Sequence, residues 1–166
     1  MTSSPMRRLG QFWRHASARV TREERARAER ILGPLAPFFL ELPVNDQRHG
    51  LDVLETVTHL ERQPSPLLQQ AALLHDLGKA EAHFSVIERS LTVLLRAVSP
   101  RSLQALQRSR PAFAGRYRIY ADHAQIGAER LRGAGAVDLA TIVAEHHAPH
   151  PHSEVTRSLQ RADGRN

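Results

Sequence analysis

What most restricts the fold of this chain is the period of its apolar residues. They recur at spacings of three and four, strand-like alternation is scarce, and Pro or Gly interrupts the pattern at helix-length intervals. This predicts an all-α protein, a compact bundle of about seven helices. At 166 residues the chain can bury a real core without staples, and one domain is expected over residues 21–166, with residues 1–20 loosely attached.

The punctuation sets the expected elements. TREE at 21–24 is a capping-box pattern opening a helix toward Ile31 and Leu32, interrupted by Gly33, Pro34 and Pro37. Asn45 or Asp46 is placed to cap a second helix, in which His49, Val53, Val57 and Leu60 recur at four, four and three. Pro64 and Pro66 end it and begin a third, LLQQAALLHD, stopped by Gly78. A fourth is expected from Val86 to Ala97 and a fifth over SLQALQ after Pro100. RSRPAFAGRYRIY, basic with interleaved aromatics, reads as a loop or insertion. Asp122 is placed to cap HAQIGAERL, which GAGA at 133–136 terminates. VDLATIVAEHH follows, and Ser153 caps a last helix carrying Leu159 and Asp163.

Residues 72–79 read ALLHDLGK. An imidazole and a carboxylate at the end of an apolar run are costly to bury uncompensated, and a divalent cation is an efficient compensator. Lys79, the one lysine among 23 basic residues, follows three positions after Asp76. On one continuous helix the 26 residues from His49 to His75 would span about 39 Å, so these two can share a site only from different helices. The same holds for His123 and His146, which have glycines between them. Each candidate falls in phase with its helix's apolar face: His75 with Ala71 and Ala72, His146 with Leu139 and Ile142 or Val143, Asp163 with Leu159 and Val155. A lone inward histidine is most simply a hydrogen-bonded core residue. Together, His49, His75, His123, His146 and Asp163 on the buried stripes of separate helices call for a common partner. His15, His59, His83, His150 and His152 show no inward phase and are expected on the surface, in the last two cases within a His/Pro tract that also suits adventitious metal.

The absence of cysteine excludes disulfides, thiolate zinc sites and a cysteine nucleophile, so any metal must be held by His, Asp or Glu. A formal charge of +6 favours anionic partners, nucleotides among them. The arginines are scattered, however, and 5% aromatics offer little for a single-strand stacking platform, so nucleic acid is not the expected partner. The first twenty residues carry no continuous apolar stretch, and nowhere do about 18 apolar residues run uninterrupted. No membrane partner and a cytoplasmic location are expected.

In order, the chain carries RH at 48–49, HDLGK at 75–79, H-x3-G-A at 123–128, HH at 146–147 and AD at 162–163. This set resembles the HD-domain superfamily of metal-dependent phosphohydrolases. His123 and the His pair resemble its two-metal subgroup, which includes HDIG-type proteins, HD-GYP phosphodiesterases and bacterial diadenosine tetraphosphate hydrolases. The resemblance spans residues 45–164 and implies a helical HD-domain bundle with the metal site in its core. It implies that His49, His75, Asp76 and Asp163 hold one divalent ion and that His123 with His146 or His147 holds a second, Asp76 bridging them. Two ions about 3.5 to 4 Å apart lower the pKa of a bridging water and supply hydroxide at neutral pH. Iron or manganese suits imidazole and carboxylate donors best, with zinc, cobalt, nickel and magnesium compatible.

Asp76 and Lys79 are the candidate catalytic residues, Lys79 neutralising a phosphate oxygen, and Arg48 is a second candidate for phosphate binding. The plain alternatives are a solvated lysine after a helix end and a surface arginine. Gly127, one turn after His123 on the same face, would admit a metal, a ligand or a neighbouring helix.

The implied activity is hydrolysis of a phosphoester or phosphoanhydride bond in a small phosphorylated substrate, a nucleotide first. No Gly-Tyr-Pro motif follows the His pair, where the chain has APHPHSEV, which disfavours cyclic-di-GMP. The 47 residues from Asp76 to His123 contain the basic aromatic segment, read as an inserted substrate loop. The rival reading is a regulatory HD module that binds a nucleotide or a partner protein without turnover. An arginine-rich nucleic-acid binder, which relies on charge alone, ranks last.

Overall fold

The computed structural model describes residues 19–82, 88, 92, 95 and 98–166. His15, His83 and the segment up to residue 18 lie outside the described residues. So does most of the helix expected from Val86 to Ala97, of which Glu88, Thr92 and Leu95 are helical.

Among the described residues all regular structure is helical: α1 (Arg22–Leu32), α2 (Ala36–Leu40), α3 (Val44–Leu60), α4 (Pro66–Leu74), α5 (Pro100–Ser109), α6 (Pro111–Ala121), α7 (His123–Gly133), α8 (Val137–Glu145) and α9 (Glu154–Asp163). Short 3-10 segments occupy Gly33–Leu35 and Leu77–Ala82. No helix among the described residues is long and apolar enough to cross a membrane.

Local chemistry explains most starts. At α1 the Thr21 hydroxyl accepts from the Glu24 amide at 3.2 Å while the Glu24 carboxylate accepts from the Thr21 amide at 2.9 Å, a complete capping box. Ser65 and Ser153 cap α4 and α9 through the amides of Leu68 and Thr156. Asp122 occupies the cap position of α7 without a side-chain cap bond. The start of α3 differs from expectation. Pro43 precedes the first residue, Val44, so neither Asn45 nor Asp46 caps it; Asp46 lies in the first turn and is buried.

α4 is the centre of the bundle. At nine residues it is too short to be stable alone, and packing holds it: Leu68, Ala71, Ala72, Leu73 and Leu74 are all buried. Each fully buried leucine contributes about 1.5–3 kcal/mol. Around α4 pack α1, α2, α3, α8 and α9, with Phe39, Leu54, Leu139 and Leu159 in the same core. Gly78 does not stop this helix. α4 ends at Leu74, His75 is its C-terminal cap residue, and the chain tightens into the Leu77–Ala82 segment, which packs against α6 and α7.

The basic aromatic segment is a helix rather than a loop. Pro111 sits at the first helical position, where its missing N–H is harmless. Phe113, Tyr117 and Tyr120 recur at four and three and form a satellite cluster with Leu95, Leu103 and Leu106. A helical period was thus present in the aromatics, obscured by Pro111, Gly115 and four arginines.

Candidate metal centre

Five helices converge on one place. His49 comes from α3, His75 and Asp76 directly follow α4, His123 opens α7, His146 and His147 follow α8, and Asp163 ends α9. They meet because α4 packs against α3, α8 and α9 while the Leu77–Ala82 segment seats α7. His75, Asp76, His123 and His146 are buried, His49 and Asp163 half-buried, and His147 exposed.

Asp76 faces both ways. Its Oδ2 lies 3.7 Å from His49 Nε2 and 3.6 Å from His75 Nε2, while its Oδ1 lies 3.3 Å from His123 Nε2 and 3.8 Å from His146 Nε2. Asp163 Oδ1 completes the first group at 3.0 Å from His49 Nε2 and 3.7 Å from His75 Nε2. His147 Nε2 joins the second, 3.2 Å from His123 Nε2. In each of the sets His49, His75, Asp76 and His123, His146, His147, one donor atom per residue lies within 4.8 Å of the others. Both members of the His pair therefore reach the second group.

Backbone carbonyls decide which ring nitrogens point inward. Nδ1 of His75 lies 3.1 Å from the Ala72 carbonyl, Nδ1 of His123 2.8 Å from that of Tyr120, and Nδ1 of His146 2.6 Å from that of Val143. A carbonyl only accepts, so each Nδ1 carries the proton and each neutral ring presents a bare lone pair at Nε2. Yet the Nε2 atoms of His123 and His146 are 3.3 Å apart. Lone pairs at that separation repel unless a proton or a cation lies between them. Asp76 Oδ1, though buried, accepts no hydrogen bond of good geometry, and an unsatisfied buried acceptor is costly. Converging lone pairs, an orphaned carboxylate oxygen and a donor set of imidazole and carboxylate fit divalent cations on both sides of Asp76.

The protonation pattern agrees. Burial by itself would raise the Asp76 carboxyl, but Lys79, His75 and the neighbouring histidines outweigh it and hold it well below the usual carboxylate range. Asp163 is likewise depressed against burial, by His49 and His75. Burial pushes His75 down, and Asp76 with Asp163 more than restores it, so His75 is raised. Burial beside His75 lowers His146 to about 3, and burial beside His123 lowers His147. The first group therefore favours a cation of some kind, and in the second His146 and His147 are held neutral.

Lys79 Nζ lies 2.5 Å from Asp76 Oδ2. Arg48 lies against carboxylates: its Nη1 is 2.5 Å from Glu24 Oε1 and its Nε 2.9 Å from Asp52 Oδ1. His59, His150 and His152 are exposed; His152 pairs with Glu145 at 2.7 Å. One neighbour of the site escaped the sequence reading. Tyr120, at the end of α6, takes the His123 Nδ1 proton on its carbonyl, and its ring lies 6.0 Å from the His123 ring and 5.8 Å from Lys79 Nζ. The spacing of Phe113, Tyr117 and Tyr120 was the available signal.

A family model described as Cas3, HD domain, matches residues 40–165, a span that contains every residue of both groups. No curated protein and no solved structure matches. The chain thus belongs to the Cas3 HD-domain family, within the HD-domain superfamily of metal-dependent phosphohydrolases.

Proposed function

We propose that the protein hydrolyses a phosphoester or phosphoanhydride bond of a nucleotide, using two divalent ions. The observation that carries this reading is the placement of Asp76 between two histidine groups, one carboxylate oxygen toward each. His49, His75, Asp76 and Asp163 would hold one ion, and His123, His146 and His147 the other, with Asp76 shared. When bound, such ions activate water at neutral pH and neutralise charge on the phosphoryl group.

The chain's own residues prepare that chemistry. The carbonyls of Ala72, Tyr120 and Val143 lock three imidazoles with Nε2 inward, so little reorganisation remains when a charged ligand arrives. Lys79, whose ammonium lies 2.5 Å from Asp76 Oδ2, would neutralise a phosphate oxygen. Arg48, already engaged by Glu24 and Asp52, is left out of the substrate role. Iron and manganese lead the candidate metals.

A nuclease is the second reading, favoured by the family match, since the Cas3 HD domain is a nuclease. The test is one substrate screen on chelator-stripped protein reloaded with manganese or, anaerobically, ferrous iron. It covers nucleoside monophosphates, cyclic nucleotides, dinucleoside polyphosphates, and single-stranded DNA and RNA, with Asp76→Ala as control. Chelator-sensitive turnover of small nucleotides is expected. Cleavage of strands alone would assign the nuclease, and tight nucleotide binding without turnover would assign a regulatory module.

A further inference from the structure

The two ligand groups are built on different parts of the bundle. The first draws on α3, the end of α4 and α9; the second draws on α7 and α8. Asp76 belongs with the first by chain position and reaches the second across the seam between the Leu77–Ala82 segment and the start of α7. At that seam backbone meets backbone. A Cβ placed on Gly78 would sit 2.1 Å from the His123 carbonyl oxygen, 2.8 Å from its carbonyl carbon and 2.9 Å from the Gly127 amide nitrogen. From the other side, a Cβ on Gly127 would meet the Gly78 amide nitrogen at 3.1 Å, with Val143 Cγ1 at 3.4 Å and Leu77 Cβ at 3.5 Å. The missing side chain at Gly127 thus admits neither a metal nor a ligand but the backbone that follows the His-Asp doublet.

The geometry points to Gly78 and Gly127 as positioning residues that set the separation of the two metal sites. His123 is the residue whose carbonyl touches Gly78, and its Nε2 lies 3.3 Å from Asp76 Oδ1. Any side chain at position 78 forces the first turn of α7 away by about 1 Å or more, because packed interiors leave no slack to absorb it. Metal–ligand bonds tolerate about 0.2 Å. A displacement of that size breaks the sharing of Asp76 between the two sites while leaving His49, His75 and Asp163 on their own helices. At position 127 the contacts are tight rather than impossible, so the displacement is a few tenths of an ångström and its effect is graded.

This inference rests on the two-metal reading above, and its test separates the two. Chelator-stripped wild type, Gly78→Ala, Gly127→Ala and His123→Ala are titrated with manganese, followed by elemental analysis and electron paramagnetic resonance, which reports whether two manganese ions are spin-coupled. The wild type is expected to show a coupled pair. Gly78→Ala should retain the first ion with a mononuclear spectrum, as should His123→Ala, and the double variant should lose nothing more. Gly127→Ala should bind both ions, the second at least tenfold more weakly. A folded Gly78→Ala that binds a coupled pair with wild-type affinity, or that loses both ions together, overturns the inference. If Gly78→Ala does not fold, Gly127→Ala decides: unchanged affinity for the second ion overturns the inference, and selective weakening supports it. A wild type that takes up no manganese overturns the two-metal reading itself, and this inference with it.

Discussion

The Lys79 ammonium lies 2.5 Å from Oδ2 of Asp76, the oxygen that faces His49 and His75. Burial alone would lower the lysine, but the Asp76 charge outweighs it and holds the ammonium above its usual value. An ion entering the first group must therefore share Oδ2 with Lys79. Lys79→Ala should bind the first ion at least as tightly as the wild type, because a competing cation has gone. The metal-free variant should lose about 1.5–3 kcal/mol, the usual contribution of a charge-assisted hydrogen bond. With the metals loaded, kcat/KM should fall about 10- to 1000-fold if the released ammonium contacts phosphate in the transition state. Calorimetric titration and steady-state kinetics check both; full turnover would confine Lys79 to neutralising Asp76.

Purified protein, freed of any affinity tag, should take up about two divalent ions per chain, the count that a shared carboxylate between two histidine groups requires. Asp76→Ala should weaken both sites, since each group uses one of its oxygens. Asp163→Ala should weaken only the first, because among the described histidines Asp163 lies within 4 Å of His49 and His75. Elemental analysis after dialysis measures this. Loss of both ions in Asp163→Ala would show that the sites load together.

How much of this was legible in the sequence depends on the distance over which the information lies. Helix phase is local, so the inward placement of His75 beside Ala71 and Ala72 could be read from a few residues. The capping box and the serine caps are equally local, and Thr21, Ser65 and Ser153 cap as their chemistry dictates. α6 is a helix and not the expected loop: Pro111, Gly115 and the arginines are loop-like one by one, while the helix shows only in the face shared by Phe113, Tyr117 and Tyr120 with Leu103. Which oxygen of Asp76 meets His123, and that Gly78 presses on the His123 carbonyl, depend on contacts between residues 47 and 45 positions apart. No local pattern encodes them. Gly78 looked like a helix stop since glycine serves both purposes with the same letter.

The metal-free protein should be most stable near pH 6.5, the ordinary histidine value. Below it, the unfolded chain protonates His146 and His147 while the folded chain resists, as His146 is held down to about 3 and His147 is lowered too. Stability then falls with acid, by about 1.4 kcal/mol per pH unit for each proton in play. His75 has the opposite sign. Its raised value contributes stability fully below pH 6.5, and this is lost as pH rises through the folded value. Asp76 and Asp163, both depressed, contribute above the ordinary carboxylate range and add to the loss only in stronger acid. Manganese should displace the His75 proton, release it to buffer, and move the optimum to higher pH. Urea melts across this range with and without manganese measure the shift; an optimum unmoved by metal would contradict a proton standing in for an ion at His75.

Arg48 supplies the last test, because its position beside His49 made it a phosphate candidate while its contacts tie it elsewhere. Its guanidinium spans Glu24 of α1 and Asp52 of α3 at 2.5 and 2.9 Å, with both partners partly exposed. Half-exposed pairs of this kind contribute about 0.2–1 kcal/mol. Arg48→Ala should therefore lower stability by about that amount, leave metal content unchanged and alter kcat/KM by less than about twofold. Glu24→Gln should match it in stability, since it removes the same link between α1 and α3. A tenfold or larger fall in kcat/KM for Arg48→Ala, with Glu24→Gln fully active, would mean that Arg48 leaves its carboxylates to hold substrate, and the phosphate would then be gripped from α3 as well as by Lys79.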